Sequence, residues 1–159
     1  MPLLNPGDTF PELTLTVPGG DIVKVPETFA GQYGVLLFYR GSWCPYCRTQ
    51  LRAFQRAQPA LADADVEVAA LSVDNEPTTA RLIVQLGLTF PVGFGADARA
   101  IADLTGAFVN PEPVYLQSTG FVLGPEGEVL VSVYSSGAIG RLAPDDVVGL
   151  VRYVREHAA

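Results

Sequence analysis

The sequence has few of the residues that form structural disulfides, metal sites or basic surfaces: it contains two cysteines, one histidine and one lysine among 159 residues. The cysteines, Cys44 and Cys47, are three residues apart, so a disulfide between them would close almost no loop and add little stability. In a reducing compartment such a close pair is better explained as catalytic or metal-binding. A chain of this length buries enough surface to fold without a disulfide cross-link.

Positive charge is also scarce, since the net charge is −7 and the isoelectric point is near 4.5. Nucleic acid and acidic membranes both require a basic patch, so we expect neither as a partner. No apolar run approaches the ~20 residues that a membrane helix needs. Residues 1–8 lack the basic and apolar regions of a secretory signal. These absences predict a cytoplasmic protein.

Ligands for a metal ion are too few as well. One Cys-x-x-Cys supplies two of the four ligands of a structural zinc site, and the single histidine, His157, lies at the C-terminal end. We therefore expect neither a bound metal nor a cofactor.

Hydrophobic patterning predicts one domain over residues 1–159, of α/β class, with a central mixed sheet flanked by helices. An alternating stretch interrupted by Pro18-Gly19-Gly20-Asp21 predicts an N-terminal β-hairpin that ends at Pro26. Further strands are predicted at residues 34–39, 66–73, 90–94, 119–123 and 129–134. Helices are predicted from residue 47 to a break near residue 59, and at residues 76–86, 98–105 and 145–157. A loop is predicted at residues 110–113.

The cysteine pair lies between the apolar strand at residues 34–39 and the helix that follows it. A helix N-terminus carries partial positive charge and unpaired N–H groups, which favour a thiolate there. Pro45 fits the first turn, where its missing N–H costs nothing, and it stiffens the residues between the two thiols. The spacing of three places both sulfurs on one side of the helix, so a disulfide can form and break without large motion.

Helical spacing distinguishes the two thiols. Cys47 shares the core-facing stripe with Leu51, Phe54 and Leu61, so we expect Cys47 to be buried and Cys44, before the helix, to be more exposed. On this basis Cys44 would attack disulfides and Cys47 would resolve them. The alternative is that both cysteines only fill the core, as free cysteines often do. Their place between a strand and a helix favours redox chemistry.

The sequence resembles the peroxiredoxin-like (AhpC/TSA, redoxin) branch of the thioredoxin superfamily that carries a Cys-x-x-Cys. The resemblance covers Gly7-Asp8-x-Phe10-Pro11, the strand that runs into Arg40-Gly41, the segment Trp43-Cys44-Pro45-Tyr46-Cys47, and residues 121–123. It implies a thioredoxin fold with an N-terminal β-hairpin extension. It also implies an antioxidant oxidoreductase that reduces peroxides through a dithiol–disulfide cycle.

The sequence departs from the peroxiredoxin motif Pro-x-x-x-Thr-x-x-Cys, whose last residue reduces the peroxide. Alignment places Cys47 at that residue, Cys44 at the Thr and Arg40 at the Pro. The arginine that peroxiredoxins keep before the late strand is missing, because residues 117–120 read Gln-Ser-Thr-Gly. Thr119 also stands where thioredoxins have a cis-proline. Arg40 or Arg141 would therefore have to supply the missing charge.

Two mechanisms remain open, with peroxide reduction placed first. In one, the Cys47 thiolate reduces a peroxide, the sulfenic acid condenses with Cys44, and a thioredoxin system or a low-molecular-weight thiol restores the dithiol. In the other, Cys44 attacks a disulfide substrate and Cys47 resolves the mixed disulfide. We prefer Cys47 for peroxides and Cys44 for disulfides. A redox-sensing interaction protein without turnover is a third interpretation.

Several neighbours of the pair are candidate supporting residues. Trp43 is expected at the rim of the site, where it either shapes a partner surface or only packs. Tyr46 is expected to form a partly exposed lid over the thiols. Pro45, Thr119, Arg40 and Arg141 complete the set. The chain is a candidate homodimer, with an exposed edge strand or the flank of the active site as the contact.

Overall fold

The computed structural model describes residues 3–157. Residues 1–2 and 158–159, which the single-domain prediction includes, lie outside the described residues. The chain forms strands β1 to β9 and helices α1 to α5, with a short 3-10 helix at Glu27–Phe29. The strands are β1 (Leu13–Thr16), β2 (Ile22–Val25), β3 (Tyr33–Phe38), β4 (Val66–Leu71), β5 (Val92–Gly93), β6 (Val109–Pro111), β7 (Val114–Leu116), β8 (Thr119–Leu123) and β9 (Val129–Tyr134), and the helices are α1 (Pro45–Arg56), α2 (Gln58–Asp63), α3 (Glu76–Leu86), α4 (Ala98–Thr105) and α5 (Pro144–Glu156).

A five-stranded mixed sheet lies at the centre, in the order β5-β4-β3-β8-β9. Strand β3 is parallel to β4 and antiparallel to β8. Because side chains alternate along a strand, β3 contributes Val35 and Leu37 to one face and Leu36 and Phe38 to the other, and all four are buried. This confirms the predicted central strand buried on both faces.

Both faces of the sheet are covered. On one face Val35 and Leu37 join a core formed with residues of α1, α3 and α5, and this core includes both cysteines. On the other face Leu36 and Phe38 pack with residues of β1, β2 and α4. The predicted N-terminal hairpin is confirmed, since β1 and β2 pair in antiparallel fashion from Leu13↔Val25 to Thr16↔Ile22.

The loop predicted at residues 110–113 is confirmed only in part, because residues 112–113 form a turn whereas Asn110 and Pro111 belong to β6. Strands β6 and β7 pair there as a two-stranded antiparallel ribbon, and the Asn110 side chain donates to the Pro113 carbonyl across its turn at 2.7 Å. Each strand has only three residues and two prolines lie between or within them, so no alternating pattern was available to indicate a strand. The ribbon brings Tyr115 and Gln117 towards the cysteines.

The helix break predicted near Pro59 is confirmed, because α1 ends at Arg56 and α2 begins at Gln58. Helix α1 begins at Pro45, which agrees with the first-turn position predicted for that proline. Among residues 3–157 no helix is long and apolar enough to span a membrane. In the same range no cluster of three or more His, Cys, Asp or Glu side chains is suited to hold a metal ion.

Candidate active site

Strand β3 delivers the cysteine pair to the first turn of α1. Cys44 is the N-cap residue, Pro45 occupies the first turn as predicted, and Cys44 Sγ accepts the backbone N–H of Cys47 at 3.3 Å. Both cysteines are free thiols, and the two residues approach to 2.7 Å. A disulfide can therefore form without unwinding the helix, as the spacing predicted.

The predicted difference in exposure between the two thiols is wrong. Cys44 and Cys47 both have 0% exposed surface. Helical periodicity accounts for the burial of Cys47 but says nothing about Cys44, which precedes the helix. Cys44 belongs to the same buried core as Cys47, and the side chains of Arg40 and Arg141 also lie against its sulfur.

Arg141, in the loop between β9 and α5, contacts both sulfurs. Its Nη2 lies 3.6 Å from Cys44 Sγ and 3.3 Å from Cys47 Sγ. Its Nη1 donates to Gln50 Oε1 at 3.2 Å, and Gln50 Nε2 in turn donates to the Leu142 carbonyl at 3.0 Å. Gln50 is one helical turn beyond Cys47, so it ties the Arg141 loop to the helix that carries the thiols.

Arg40 lies on the other side of the pair, two residues after the end of β3. Its backbone N–H donates to Cys47 Sγ at 3.3 Å, and its Nη1 lies 3.7 Å from Cys44 Sγ. Its Nε donates to Gln117 Oε1 and its Nη2 to Tyr115 Oη, each at 3.0 Å. The guanidinium also lies against the rings of Trp43 and Tyr115, with centroid distances of 5.0 and 5.3 Å.

These contacts move the two thiol pKa values in opposite directions. Burial opposes ionisation of Cys44, but hydrogen bonds from the Cys47 thiol, the Cys47 N–H and Arg40, together with the charge of Arg141, lower the pKa of Cys44. Burial and the hydrogen bond that it donates to Cys44 raise the pKa of Cys47 to about 11. The arrangement favours a Cys44 thiolate that accepts a hydrogen bond from a protonated Cys47.

The loop between Arg40 and Cys44 is held at Ser42 from two sides. Its N–H donates to Asp74 Oδ2 at 2.8 Å, and its carbonyl accepts from Arg48 Nη1 at 3.2 Å. A Cβ on the preceding residue, Gly41, would lie 2.2 Å from Trp43 Nε1, so only glycine lets the indole fold back over this backbone. The loop that precedes Cys44 is therefore held by Asp74, from the segment between β4 and α3, and by Arg48 of α1.

Three predicted supporting residues lie away from the sulfurs. Trp43 and Tyr46 are 55% and 53% exposed; Trp43 packs on Arg40 and Tyr115, and among the described residues no hydrogen bond joins Tyr46 to a thiol. The Thr119 hydroxyl donates to the Gln117 carbonyl at 3.0 Å rather than to a sulfur. The expected Tyr46 lid stays a prediction.

Sequence reasoning missed four residues that support the site, namely Gln50, Asp74, Tyr115 and Gln117. None of them lies in the Cys-x-x-Cys segment, and each reaches it through a contact between separate elements. Gln117 was visible only as the residue standing where peroxiredoxins have an arginine. No local pattern marks the other three.

The fold and the dithiol at the start of a helix define a thioredoxin-fold thiol oxidoreductase. The chain belongs to the AhpC/TSA family, whose sequence pattern matches residues 6–132. It is 31% identical over 161 residues to a peroxiredoxin from Methanothermobacter marburgensis, covering 98% of this chain and 74% of that protein. It is 28% identical over 157 residues to an alkyl hydroperoxide reductase C from Mycolicibacterium smegmatis, covering 89% of this chain and 80% of that protein.

Solved structures support the fold independently. Peroxidoxin BcpB from Mycobacterium tuberculosis superposes with a TM-score of 0.82 at 18% identity, covering 96% of this chain and 99% of that chain. Peroxiredoxins are thiol peroxidases, so the predicted class, a thiol-dependent oxidoreductase that reduces peroxides, is confirmed. The family implies a peroxide as substrate and a thioredoxin-like protein as reductant.

Proposed function

We propose that this peroxidase works through a cycle confined to Cys44 and Cys47, in which Cys44 attacks the peroxide and Cys47 resolves. The observation that carries the proposal is the set of donors around Cys44 Sγ. Arg40, the Cys47 N–H and the Cys47 thiol donate to this sulfur, and Arg141 Nη2, which also contacts Cys47 Sγ, lies 3.6 Å from it. Cys47 Sγ receives fewer donors, one backbone N–H and one guanidinium.

The first step transfers one oxygen to sulfur. The Cys44 thiolate attacks the terminal oxygen of the peroxide, an S–O bond forms, and the O–O bond breaks. Cys44 becomes a sulfenic acid, and the alkoxide or hydroxide that leaves takes a proton from solvent. Sulfur loses two electrons and the peroxide gains them.

The second step forms the disulfide. Cys47 attacks Cys44, the S–O bond of the sulfenic acid breaks, and the proton that Cys47 kept through its high pKa leaves with the hydroxide as water. A dithiol protein of the thioredoxin type, or two molecules of a low-molecular-weight thiol, then reduces the disulfide by exchange. Both residues return to thiols.

The arginines supply charge where the reaction develops it. In the described part of the chain Arg141 Nε is buried without a hydrogen-bond partner. A buried unpaired N–H is costly, and a peroxide oxygen beside Cys44 would give it an acceptor. We therefore assign Arg141 as the main guanidinium that binds and polarises the O–O bond, with Arg40 as the second.

Two earlier alternatives make different predictions. The family alignment assigns the attack on peroxide to Cys47, the reverse of the order supported by the hydrogen bonds. Reduction of protein disulfides would use the same two sulfurs in the same dithiol cycle. The two guanidiniums beside Cys44 Sγ and the Arg141 Nε that has no hydrogen-bond partner among the described residues favour a small peroxide as the substrate.

Two further proposals concern the assembly of the chain and its compartment. A homodimer would form most simply at β9, which is one edge of the sheet, and light scattering on the purified protein tests it. A reducing compartment such as the cytoplasm fits a chain whose two cysteines are both free. We propose both on these grounds.

The test uses the reduced protein, hydrogen peroxide and stopped-flow detection. Trp43 is the single tryptophan and lies against Arg40, so its fluorescence should report oxidation of the pair without a label. Rapid oxidation in Cys47→Ser, with a sulfenic acid trapped at Cys44, together with loss of rapid oxidation in Cys44→Ser, is the expected result.

Two outcomes would overturn parts of the proposal. A sulfenic acid trapped at Cys47 in a fast-reacting Cys44→Ser variant, with a slow Cys47→Ser variant, would reverse the order of attack. Oxidation of the unsubstituted protein no faster than that of a free thiol would refute peroxide reduction by this site.

A further inference from the structure

Arg40 has a long side chain, and its contact with Cys44 is too weak to orient it. The distance from Nη1 to Cys44 Sγ is 3.7 Å, near the limit for a hydrogen bond to sulfur. An arginine that is held only there would keep most of its rotamer freedom, which costs free energy to remove. Some other part of the structure must direct this guanidinium at the sulfur.

The β6–β7 ribbon and the residue after it provide that direction. Gln117 Oε1 and Tyr115 Oη accept from Nε and Nη2 of Arg40, each at 3.0 Å. With these two groups occupied, the planar guanidinium has its remaining nitrogen, Nη1, turned to Cys44. The rings of Trp43 and Tyr115, themselves in edge contact at 5.1 Å, restrict the guanidinium further.

The two acceptors are themselves fixed in place. Leu116, between them, is fully buried, and Gln117 is 7% exposed. The Gln117 N–H donates to the Phe108 carbonyl at 2.9 Å, and Tyr115 pairs with Asn110 across the ribbon. The hydroxyl of Thr119 donates to the Gln117 carbonyl at 3.0 Å and restrains the same residue from the β8 side.

We propose that Tyr115 and Gln117 are positioning residues, which hold the Arg40 guanidinium against the Cys44 sulfur and act on the reaction only through Arg40. The inference rests on the proposed function in taking Cys44 as the thiolate. It gives the ribbon, which has no thiol and no contact with either sulfur among the described hydrogen bonds, a role in setting the reactivity of the site.

The test is a double-mutant cycle that measures titration of a single thiol. In the Cys47→Ser background Cys44 is the single thiol. Ionisation of this thiol is followed by the ultraviolet absorbance of the thiolate, in the absence of peroxide. Tyr115→Phe removes one hydroxyl and Gln117→Met removes the amide at similar volume. Each should shift the titration to higher pH and slow oxidation by hydrogen peroxide about three- to tenfold.

In the Arg40→Met background neither substitution should have a further effect, because the residue through which both act is gone. Tyr153→Phe, at an exposed tyrosine on α5, is the matched control and should leave the titration unchanged. An unchanged titration in Tyr115→Phe and Gln117→Met, or equal shifts with and without Arg40, would overturn the inference. Because the titration needs no turnover, failure of the peroxide reaction alone is distinguishable from either result.

Discussion

Arg141 and Cys44 are 97 residues apart in the sequence, yet Arg141 Nη2 lies 3.6 Å from Cys44 Sγ. The same nitrogen lies 3.3 Å from Cys47 Sγ, so one guanidinium reaches both sulfurs of the cycle. Arginine stays charged at any relevant pH and stabilises negative charge on either sulfur. It can therefore serve Cys44 during the attack on peroxide and Cys47 when that thiol loses its proton.

The first prediction follows from this double contact. Arg141→Met should slow oxidation by hydrogen peroxide by about ten- to a hundredfold, as expected when one donor to a developing charge is removed. Stopped-flow Trp43 fluorescence measures the rate. Arg52→Met, at an exposed arginine on α1, removes the same charge from the same protein and should react at the unsubstituted rate. Equal rates in both variants would remove Arg141 from the mechanism.

The second prediction concerns pH. The pKa of Cys44 is lowered, so its thiolate persists below the pH at which an ordinary thiol, with a pKa of about 8.5, is protonated. The oxidation rate follows the thiolate, so its dependence on pH should be displaced to lower pH relative to that of a free thiol, and the rate should fall as acid protonates Cys44. Arg40→Met removes a stabilising cation and should move the fall to higher pH. A rate profile that coincides with the titration of a free thiol, or lies at higher pH, would contradict a lowered pKa.

Much of the fold could be predicted because the relevant patterns are local. The alternation around Pro18-Gly19-Gly20-Asp21 indicated the β1–β2 hairpin, and the apolar run before Arg40 indicated β3. Helix α3 ends at Leu86, as predicted, and Gly87 directly after it adopts the left-handed conformation. The β6–β7 ribbon could not be predicted, since strands of three residues containing proline have no measurable periodicity.

Only the part of the site that lies within the Cys-x-x-Cys segment could be predicted from the sequence. The Cys-x-x-Cys spacing placed both sulfurs at one helix start. Arg141 contacts Cys44 from 97 positions away, and Gln117 accepts a hydrogen bond from Arg40 across 77 positions. Such contacts depend on tertiary packing, so a single sequence could suggest Arg40 and Arg141 as candidates but could not place them.

The third prediction is resistance to overoxidation. Cys47 approaches Cys44 to 2.7 Å, so a sulfenic acid at Cys44 has its resolving thiol in place and forms the disulfide before a second peroxide reacts. The unsubstituted protein should lose two hydrogens by intact mass as peroxide rises, whereas Cys47→Ser should gain two oxygens as sulfinic acid. Sulfinic acid in both proteins at the same peroxide concentration would mean that Cys47 does not form the disulfide with Cys44 faster than a second peroxide reacts.

The fourth prediction links stability to the Arg141 loop through Gly120 in β8. A Cβ at this position would lie 2.7 Å from Leu142 Cδ1 and 3.0 Å from Leu142 Cγ. Gly120→Ala should therefore force Leu142 outward and lower the free energy of unfolding by about 1–3 kcal/mol. Because Leu142 follows Arg141 and its carbonyl is held by Gln50, the same shift should pull Arg141 from the sulfurs and slow peroxide oxidation.

Gly149→Ala is the control for this substitution, and it should act in the opposite direction. Gly149 lies in α5 with no atom within 4 Å of an added Cβ, and alanine favours a helix over glycine by about 1 kcal/mol. Denaturant unfolding should therefore show a gain in stability for Gly149→Ala at an unchanged oxidation rate. A Gly120→Ala protein with unchanged stability and rate would mean that Leu142 relaxes without moving Arg141, and the proposed link between this loop and the thiols would be wrong.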